Sequence, residues 1–518
     1  MKKKPVITAS EAALQVKDGD TVASSGFVSS AIPEGLIKAL EARFLETGGP
    51  KGITYFYAGS QGKRDGRGGD RLAHKGLAKR VIAGHYNTAP ALGSMILDNE
   101  IEGYNLPQGV LSQLTRDIAA HRPGTISHVG LGTFVDPRQS GGKLNKITTY
   151  DMVKLIKIDG EEKLLYRSFP IDVAFLRGSY ADEAGNVTMH REICEGEVTS
   201  LAQATKNSGG KVFVQVEKIV PAGTLDPRLV KISRSLVDFL IIAEPEDHEQ
   251  TYDCEYDPSL TGDVRIQVDE IPALPLNVKK VIARRAALEL KEGSLVNLGI
   301  GIPEFVAAVA NEEGVGDSIM LTVEAGPNGG IPQAGVRFGA SVNPECIYAQ
   351  HTQFDYYDGG GVDLACLGMA QADKEGNINV SMFSGRLAGC GGFINITQNA
   401  KNVCFCGTFT SGGFDVKIED GKLIILKEGR SKKFIDSVEQ ITFSGAYASK
   451  SGKKVLYITE RAVFELRDDG VWLIEIAPGV DLEAHILAEM EFLPNMEAGG
   501  PLPMDERIFR EGLMGISI

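Results

Sequence analysis

The chain has 518 residues, 43% of them hydrophobic and 24% charged, with a formal net charge of −14. That balance is ordinary for a globular protein with full cores, and the acidity speaks against nucleic acid or an anionic membrane as partner, since both select basic surface. No run of 18 or more apolar residues occurs, so no membrane-spanning helix is expected.

The start, Met1-Lys2-Lys3-Lys4-Pro5, is basic, but Glu11, Gln15, Lys17 and Asp18 interrupt it too soon for a signal peptide. The seven cysteines are odd in number and scattered, with no CxxC pair, and the eight histidines form neither HxxxH nor HExxH. Reduced thiols, a cytoplasmic setting and no metal site are expected. Cys404 and Cys406 alternate in a strand-like run, where small buried side chains suffice.

Taken in order, the chain alternates short apolar runs with amphipathic stretches, the α/β pattern of a largely parallel sheet. Ser25-Gly26-Phe27, followed by Pro33, reads as a glycine turn leading into a helix. Ile53–Tyr57 is a strand. The loop from Gly59 to Gly69 combines glycines with Lys63, Arg64 and Arg67, and reads either as a face for a phosphate-bearing ligand or as a solvated loop. Asp172-Val173-Ala174-x-Leu176 with Ala181-Asp182-x-x-Gly185-Asn186-Val187 comes next, then strands at Lys211–Val216 and Phe239–Ala243. Residues 248–276 are polar, acidic and interrupted by Pro258, Pro272 and Pro275, the composition of a linker.

Beyond it the chain repeats itself. Ala12-Ala13-Leu14-x-x-Lys17-Asp18-Gly19 returns as Ala286-Ala287-Leu288-x-x-Lys291-Glu292-Gly293, an offset of 274. The Asp172 paragraph returns as Asp363-Leu364-Ala365-x-Leu367 with Ala372-Asp373-x-x-Gly376-Asn377-Ile378, an offset of 191. Units of this length are homologous domains rather than solenoid repeats. The expected architecture is therefore two homologous open α/β domains from an internal duplication, residues 1–247 and 277–518, joined by 248–276. The smaller second offset means that the first copy holds about 83 inserted residues. A feature present in one copy alone becomes a candidate for chemistry.

The second copy opens on a helix from Lys279 to Lys291. Val296-Asn297-Leu298-Gly299-Ile300-Gly301-Ile302-Pro303-Glu304 then reads as strand, glycine turn and helix start, with Pro303 suited to the first helical position. Such a turn lets a ligand reach the backbone, but it lacks the third glycine of a dinucleotide fingerprint. Met320-Leu321-Thr322-Val323 is a strand that runs into Glu324 and then Ala325-Gly326-Pro327-Asn328-Gly329-Gly330. This puts a carboxylate at the carboxyl end of a strand, where open α/β sheets collect ligands and where it can serve as a nucleophile. A solvated glutamate before a turn is the plainer reading. Asp358-Gly359-Gly360-Gly361 and Gly389-Cys390-Gly391-Gly392-Phe393 offer backbone amides for an oxyanion hole, or simply close packing. Strands at Val455–Ile458 and Val471–Ile474 and a helix around Leu482–Met490 close the chain.

These segments together resemble family I coenzyme A transferases of the fused, single-chain propionate/acetate type. The resemblance runs through Ser60-Gln61-Gly62-Lys63-Arg64-Asp65-Gly66-Arg67, Asn105-Leu106-Pro107-Gln108-Gly109, Thr224-Leu225-Asp226-Pro227-Arg228, Phe354-Asp355-Tyr356-Tyr357-Asp358, Gly389 to Asn395, and Ile458-Thr459-Glu460-Arg461-Ala462-Val463-Phe464. It implies a catalytic glutamate at Glu324 in a beta-like second half, and oxyanion donors at Gln108 and the Gly391 and Gly392 amides. It also implies a CoA-contacting loop at Gly299, Ile300, Gly301, Ile302 and Pro303. Two departures stand out. Ser25 occupies a position where the family has glycine, and Ala325-Gly326-Pro327-Asn328 follows the glutamate.

The implied reaction moves CoA between short-chain acyl-CoA (acetyl-, propionyl- or butyryl-CoA) and free short-chain carboxylates through a glutamyl-CoA thioester. It uses CoA as substrate, with no other cofactor, in a homo-oligomer, a tetramer by resemblance. The rival readings are an acyl-CoA hydrolase using the same glutamate, a ligand-binding module on this fold, and a dinucleotide oxidoreductase.

Overall fold

The computed structural model describes residues 3–267 and 274–518, so residues 268–273 of the expected linker lie outside it. Among the described residues no helix is long and apolar enough to cross a membrane. The chain groups into two compact units. The first holds residues 3–266, 323–355 and 384–395; the second holds 267, 274–322, 356–383 and 396–518.

The first unit is built on a seven-stranded parallel sheet. Its spatial order is Phe239–Ile242, Lys211–Val216, Val173–Arg177, Thr21–Ser24, Ile53–Tyr57, Ala78–Ala83, Glu102–Asn105. Every residue of Ile53–Tyr57 and of Val173–Arg177 is buried, as expected for parallel strands covered on both faces. The order reverses between Thr21–Ser24 and Val173–Arg177. Loops leaving the carboxyl ends of these strands diverge there and open a crevice. The helix Glu34–Thr47 ends on Gly48 in the left-handed region (φ 72°), whose N–H bonds the Phe44 carbonyl.

The second unit repeats the plan. Met320–Thr322, Leu295–Leu298, Leu364–Gly368, Asn402–Cys406 and Lys454–Ile458 lie side by side and parallel. The antiparallel strands Ala462–Arg467 and Gly470–Ile476 extend the edge. Each of the five parallel strands has a counterpart in the first unit, and Thr21 maps to Leu295 with the same offset of 274 seen in the sequence. The two homologous α/β domains expected from the repeat are thus present as folds. Ala78–Ala83 and Glu102–Asn105, which have no counterpart, fall within the inserted residues. The helix Val278–Ala287 begins on Asn277, whose side chain accepts from the N–H groups of Lys279 and Lys280. The helix expected at Leu482–Met490 is shorter, Leu482–His485 followed by a 3-10 turn at Leu487–Glu489.

The repeated Asp-x-x-Gly-Asn paragraph is structural in both copies. Asp182 Oδ1 accepts from the N–H groups of Ala184 and Asn186, and Asp182 Oδ2 from Asn186 Nδ2. Asp373 accepts the matching bonds from Glu375 N–H, Asn377 N–H and Asn377 Nδ2. The polar stretch after His248 is packed rather than loose: Thr251, Tyr252 and Leu260 are buried, and the Tyr252 hydroxyl donates to Glu34 at 2.6 Å. Asp373 also accepts from Val438 N–H. Removing a buried carboxylate that serves four donors strands all of them, so Asp373→Ala is expected to destabilise by about 2–4 kcal/mol. Thermal unfolding checks this, and an unchanged midpoint would contradict it.

Candidate active site

Four loops at the carboxyl ends of the first sheet converge. Ser25–Phe27 follows Thr21–Ser24. Gly26 (φ 130°) leaves no room for a Cβ, which would stand 2.5 Å from Ile32 Cγ1. Ser25, the departure from glycine noted above, uses its hydroxyl to donate to Ala31 O (3.0 Å) and to accept from Arg177 N–H (3.2 Å). The serine therefore ties this loop to the strand across the switch point.

The loops after Ala78–Ala83 and Glu102–Asn105 are laced to the segment 384–395. Gly84 O accepts from Gly391 N–H (2.7 Å) and from Asn105 Nδ2 (2.5 Å), and Asn105 Oδ1 accepts from Cys390 N–H (2.8 Å). Tyr86 N–H donates to Ala388 O, and Gln108 N–H to Gly391 O (2.9 Å). Gln108 is the first residue of the helix Gln108–Ala119 and only 2% exposed. Its Nε2 is buried with no hydrogen-bond partner. A buried donor without an acceptor costs free energy that folding does not return. It is the expected state of a group reserved for a ligand oxygen.

Glu324 occupies the first corner of a tight turn. Gly326 N–H donates to Val323 O (3.0 Å), and Val323 N–H to Pro327 O (2.9 Å). Gly326 (φ 131°) must be glycine, because a Cβ there would meet Tyr348 O at 2.1 Å. Asn328 Nδ2 braces the turn by donating to Gly326 O and to Gln353 Oε1. The Glu324 side chain is partly exposed and recessed, and burial pushes its carboxyl up to about 7, opposed by a bond from its own N–H.

Packing links this turn to Gln108 through the Phe27 ring. A Cβ built on Gly339 would stand 3.6 Å from Ala325 Cβ and 2.6 Å from the Phe27 ring. One built on Gly59 would stand 3.0 Å from the same ring and 3.7 Å from Gln108 Cδ. The Phe27 ring thus packs between Gly339, the neighbour of Ala325, and Gly59, the neighbour of Gln108. Glu324, Gln108, Gly391 and Gly392 all belong to the first unit.

The amides need a correction. Gly391 N–H is spent on Gly84 O and is not free to bind an oxyanion. Among the described residues, Gly392 N–H has no such partner.

Gly299–Pro303 lies in the second unit and has the expected form. Gly299 N–H donates to Cys366 O, Gly301 has φ 93°, Ile300 is 58% exposed, and a 3-10 turn at Ile302–Glu304 leads into the helix Phe305–Glu312. The cationic loop is less open than its sequence suggests. Arg67 pairs with Asp65 and Glu249 and stacks on Tyr252, Lys63 donates to Tyr252 O, and Arg64 Nε donates to Asn87 O. These cations stitch the loop into the unit. His85, at the site, carried no motif in the sequence, whereas Asn105 opened the Asn105–Gly109 run of the family resemblance. The only signal of His85 is its place just past the short apolar run Val81-Ile82-Ala83.

The coenzyme A transferase family model matches residues 6–243 and 279–406. The chain belongs to that family, and its reaction is the transfer of CoA between an acyl-CoA and a carboxylate. It is 47% identical to the caffeate CoA-transferase of Acetobacterium woodii over 98% of both chains. It is 43% identical to the acetate CoA-transferase YdiF of Escherichia coli (strain K12), over 99% of this chain and 96% of the relative. The solved apoenzyme of the acyl-CoA transferase YdiF from Escherichia coli O157:H7 superimposes with a TM-score of 0.95 at 41% identity, covering 100% of this chain and 98% of that one.

The raised carboxyl of Glu324 has a stability consequence. The folded value near 7 lies above the unfolded value of about 4.3, so the contribution is full below about 4.3 and lost as pH rises through 7. Glu324→Gln should therefore raise the melting temperature at pH 8 and leave it nearly unchanged at pH 4. An equal shift at both pH values would contradict the burial.

Proposed function

We propose that Glu324 is the nucleophile of a short-chain acyl-CoA:carboxylate CoA-transferase. The observation that carries this reading is a recessed carboxyl on a rigid turn, in the same compact unit as the unpartnered buried donor of Gln108 and joined to it through the packing of Phe27. A carboxylate oxygen of Glu324 attacks the thioester carbonyl, and the oxyanion collapses by expelling CoA thiolate, leaving an acyl-glutamyl anhydride. The thiolate then attacks the glutamyl carbonyl and expels the first acid as its carboxylate, leaving glutamyl-CoA. A second carboxylate reverses both steps and leaves as the new acyl-CoA.

Each step passes through an oxyanion, for which Gln108 Nε2 and Gly392 N–H are the donors in this reading. Gly299, Ile300, Gly301, Ile302 and Pro303 contact CoA. The relative named acetate CoA-transferase supports small acyl groups, and the YdiF structure titled as a thioester complex with CoA supports the covalent step. The caffeate-named relative makes acyl size the feature to measure. CoA is a substrate here, no metal or organic cofactor takes part, and the working form is a cytoplasmic homo-oligomer, a tetramer by family resemblance.

Initial rates against acyl-CoA at several fixed acetate concentrations are expected to give parallel lines, since each acyl group leaves before the next acid enters. Propionate and butyrate should replace acetate, and CoA release without any acceptor should be slow. Intersecting lines would overturn the covalent scheme, turnover without acceptor would favour a hydrolase, and a strong preference for caffeate would overturn the short-chain assignment.

A further inference from the structure

A third hydrogen-bonding side chain stands at the same recess. His85 follows the strand Ala78–Ala83, part of the insertion that the second copy lacks. Its backbone is pinned at both ends: the N–H donates to Gly59 O (3.1 Å), and the carbonyl accepts from the Tyr57 hydroxyl (3.2 Å). Nδ1 lies 3.1 Å from Ser60 Oγ, which is itself bonded to Thr88 Oγ1. The other edge of the ring faces the site. Cδ2, the neighbour of Nε2, is 3.6 Å from the point where a Gly391 Cβ would stand, and Gln108 Oε1 is 3.7 Å from that point. His85 keeps some exposure, and among the described residues Nε2 has no partner. Burial, assisted by the charge of Arg64, lowers the imidazole to about 4, so the ring is neutral at pH 7 and has one proton to place.

We propose that His85 is a catalytic residue whose Nε2–H joins Gln108 Nε2 in holding the oxyanion formed at the acyl carbonyl, with Ser60 as the positioning residue that sets its tautomer. In this proposal the Thr88–Ser60 and Ser60–Nδ1 bonds run with Thr88 and Ser60 as donors, which leaves the ring proton on Nε2. A neutral donor suits this place. An imidazolium would pair with the Glu324 carboxylate and quench the nucleophile, whereas a neutral N–H stabilises only charge that develops during the reaction. The proposal rests on the reading of Glu324 as nucleophile.

Two isosteric variants separate catalysis from support. Glutamine can put an N–H where Nε2 stands but does not reproduce Nδ1; asparagine does the reverse and can keep the Ser60 contact. His85→Gln is expected to keep kcat within about 10-fold of the parent. His85→Asn and His85→Ala should each lose about 100-fold or more in kcat, with the KM for acyl-CoA little changed. Ser60→Ala should lose an intermediate amount, with folding monitored by melting temperature throughout.

If His85→Asn matches the parent while His85→Gln does not, the ring only supports the Ser60 loop and the proposal fails. Equal activity in all the His85 variants also overturns it. Glu324→Gln, assayed in parallel, separates the two failures: an active Glu324→Gln sinks the nucleophile reading, while an inactive one beside unaffected His85 variants sinks only the role of His85.

Discussion

The carbonyl oxygen of Gly84 joins the parts of the site. It accepts from Gly391 N–H and from Asn105 Nδ2, so the ends of two strands and the 384–395 segment meet on one acceptor. No side chain fits there: a Cβ on Gly84 would stand 2.3 Å from Ala58 O, and one on Gly389 would stand 2.9 Å from His85 Cα. With the backbones locked, Gln108 holds its position without using Nε2, and His85 is held by its main chain and by Nδ1 on Ser60, leaving its Nε2 unused. Those nitrogens stay available for chemistry because the main chain does the anchoring. The same economy holds at Glu324, whose turn is braced by Asn328 and Tyr348 rather than by its own carboxyl. Preorganised, poorly solvated groups of this kind stabilise a transition state without first having to reorganise.

Duplication followed by divergence accounts for where the chemistry sits. Both units carry the five-stranded parallel arrangement and the Asp-x-x-Gly-Asn turn, so those features serve folding. The first copy alone carries Ala78–Ala83 and Glu102–Asn105, and with them His85, Asn105 and Gln108. The second copy alone supplies the Glu324 turn and the Gly389–Gly392 run, and both belong to the first compact unit. Sequence from the second half thus completes the unit that holds the inserted strands.

Much of this was legible in the sequence, because strands, glycine turns and the repeat follow from local pattern. Ile53–Tyr57 and Lys211–Val216 were found at their observed bounds, and Glu324 stood out as a carboxylate between a strand and turn formers. What escaped depends on contacts distant along the chain. The use of Gly391 N–H by Gly84 spans 307 positions and leaves no local trace. His85 looked like any isolated histidine until Ser60 and Gly391 gave it neighbours. The cations of the Lys63–Arg67 loop looked free because their partners, Glu249 and Tyr252, lie in a segment whose composition suggested a linker.

The central claim is that Glu324 carries CoA covalently, and chemical trapping tests it most directly. Enzyme incubated with acyl-CoA and no acceptor, then treated with borohydride, should contain one reduced glutamate, because borohydride reduces thioesters and spares free carboxylates. Peptide mapping is predicted to find that residue at Glu324. Reduction at Glu304 or Glu345, or no reduction in enzyme that still turns over, would contradict the account.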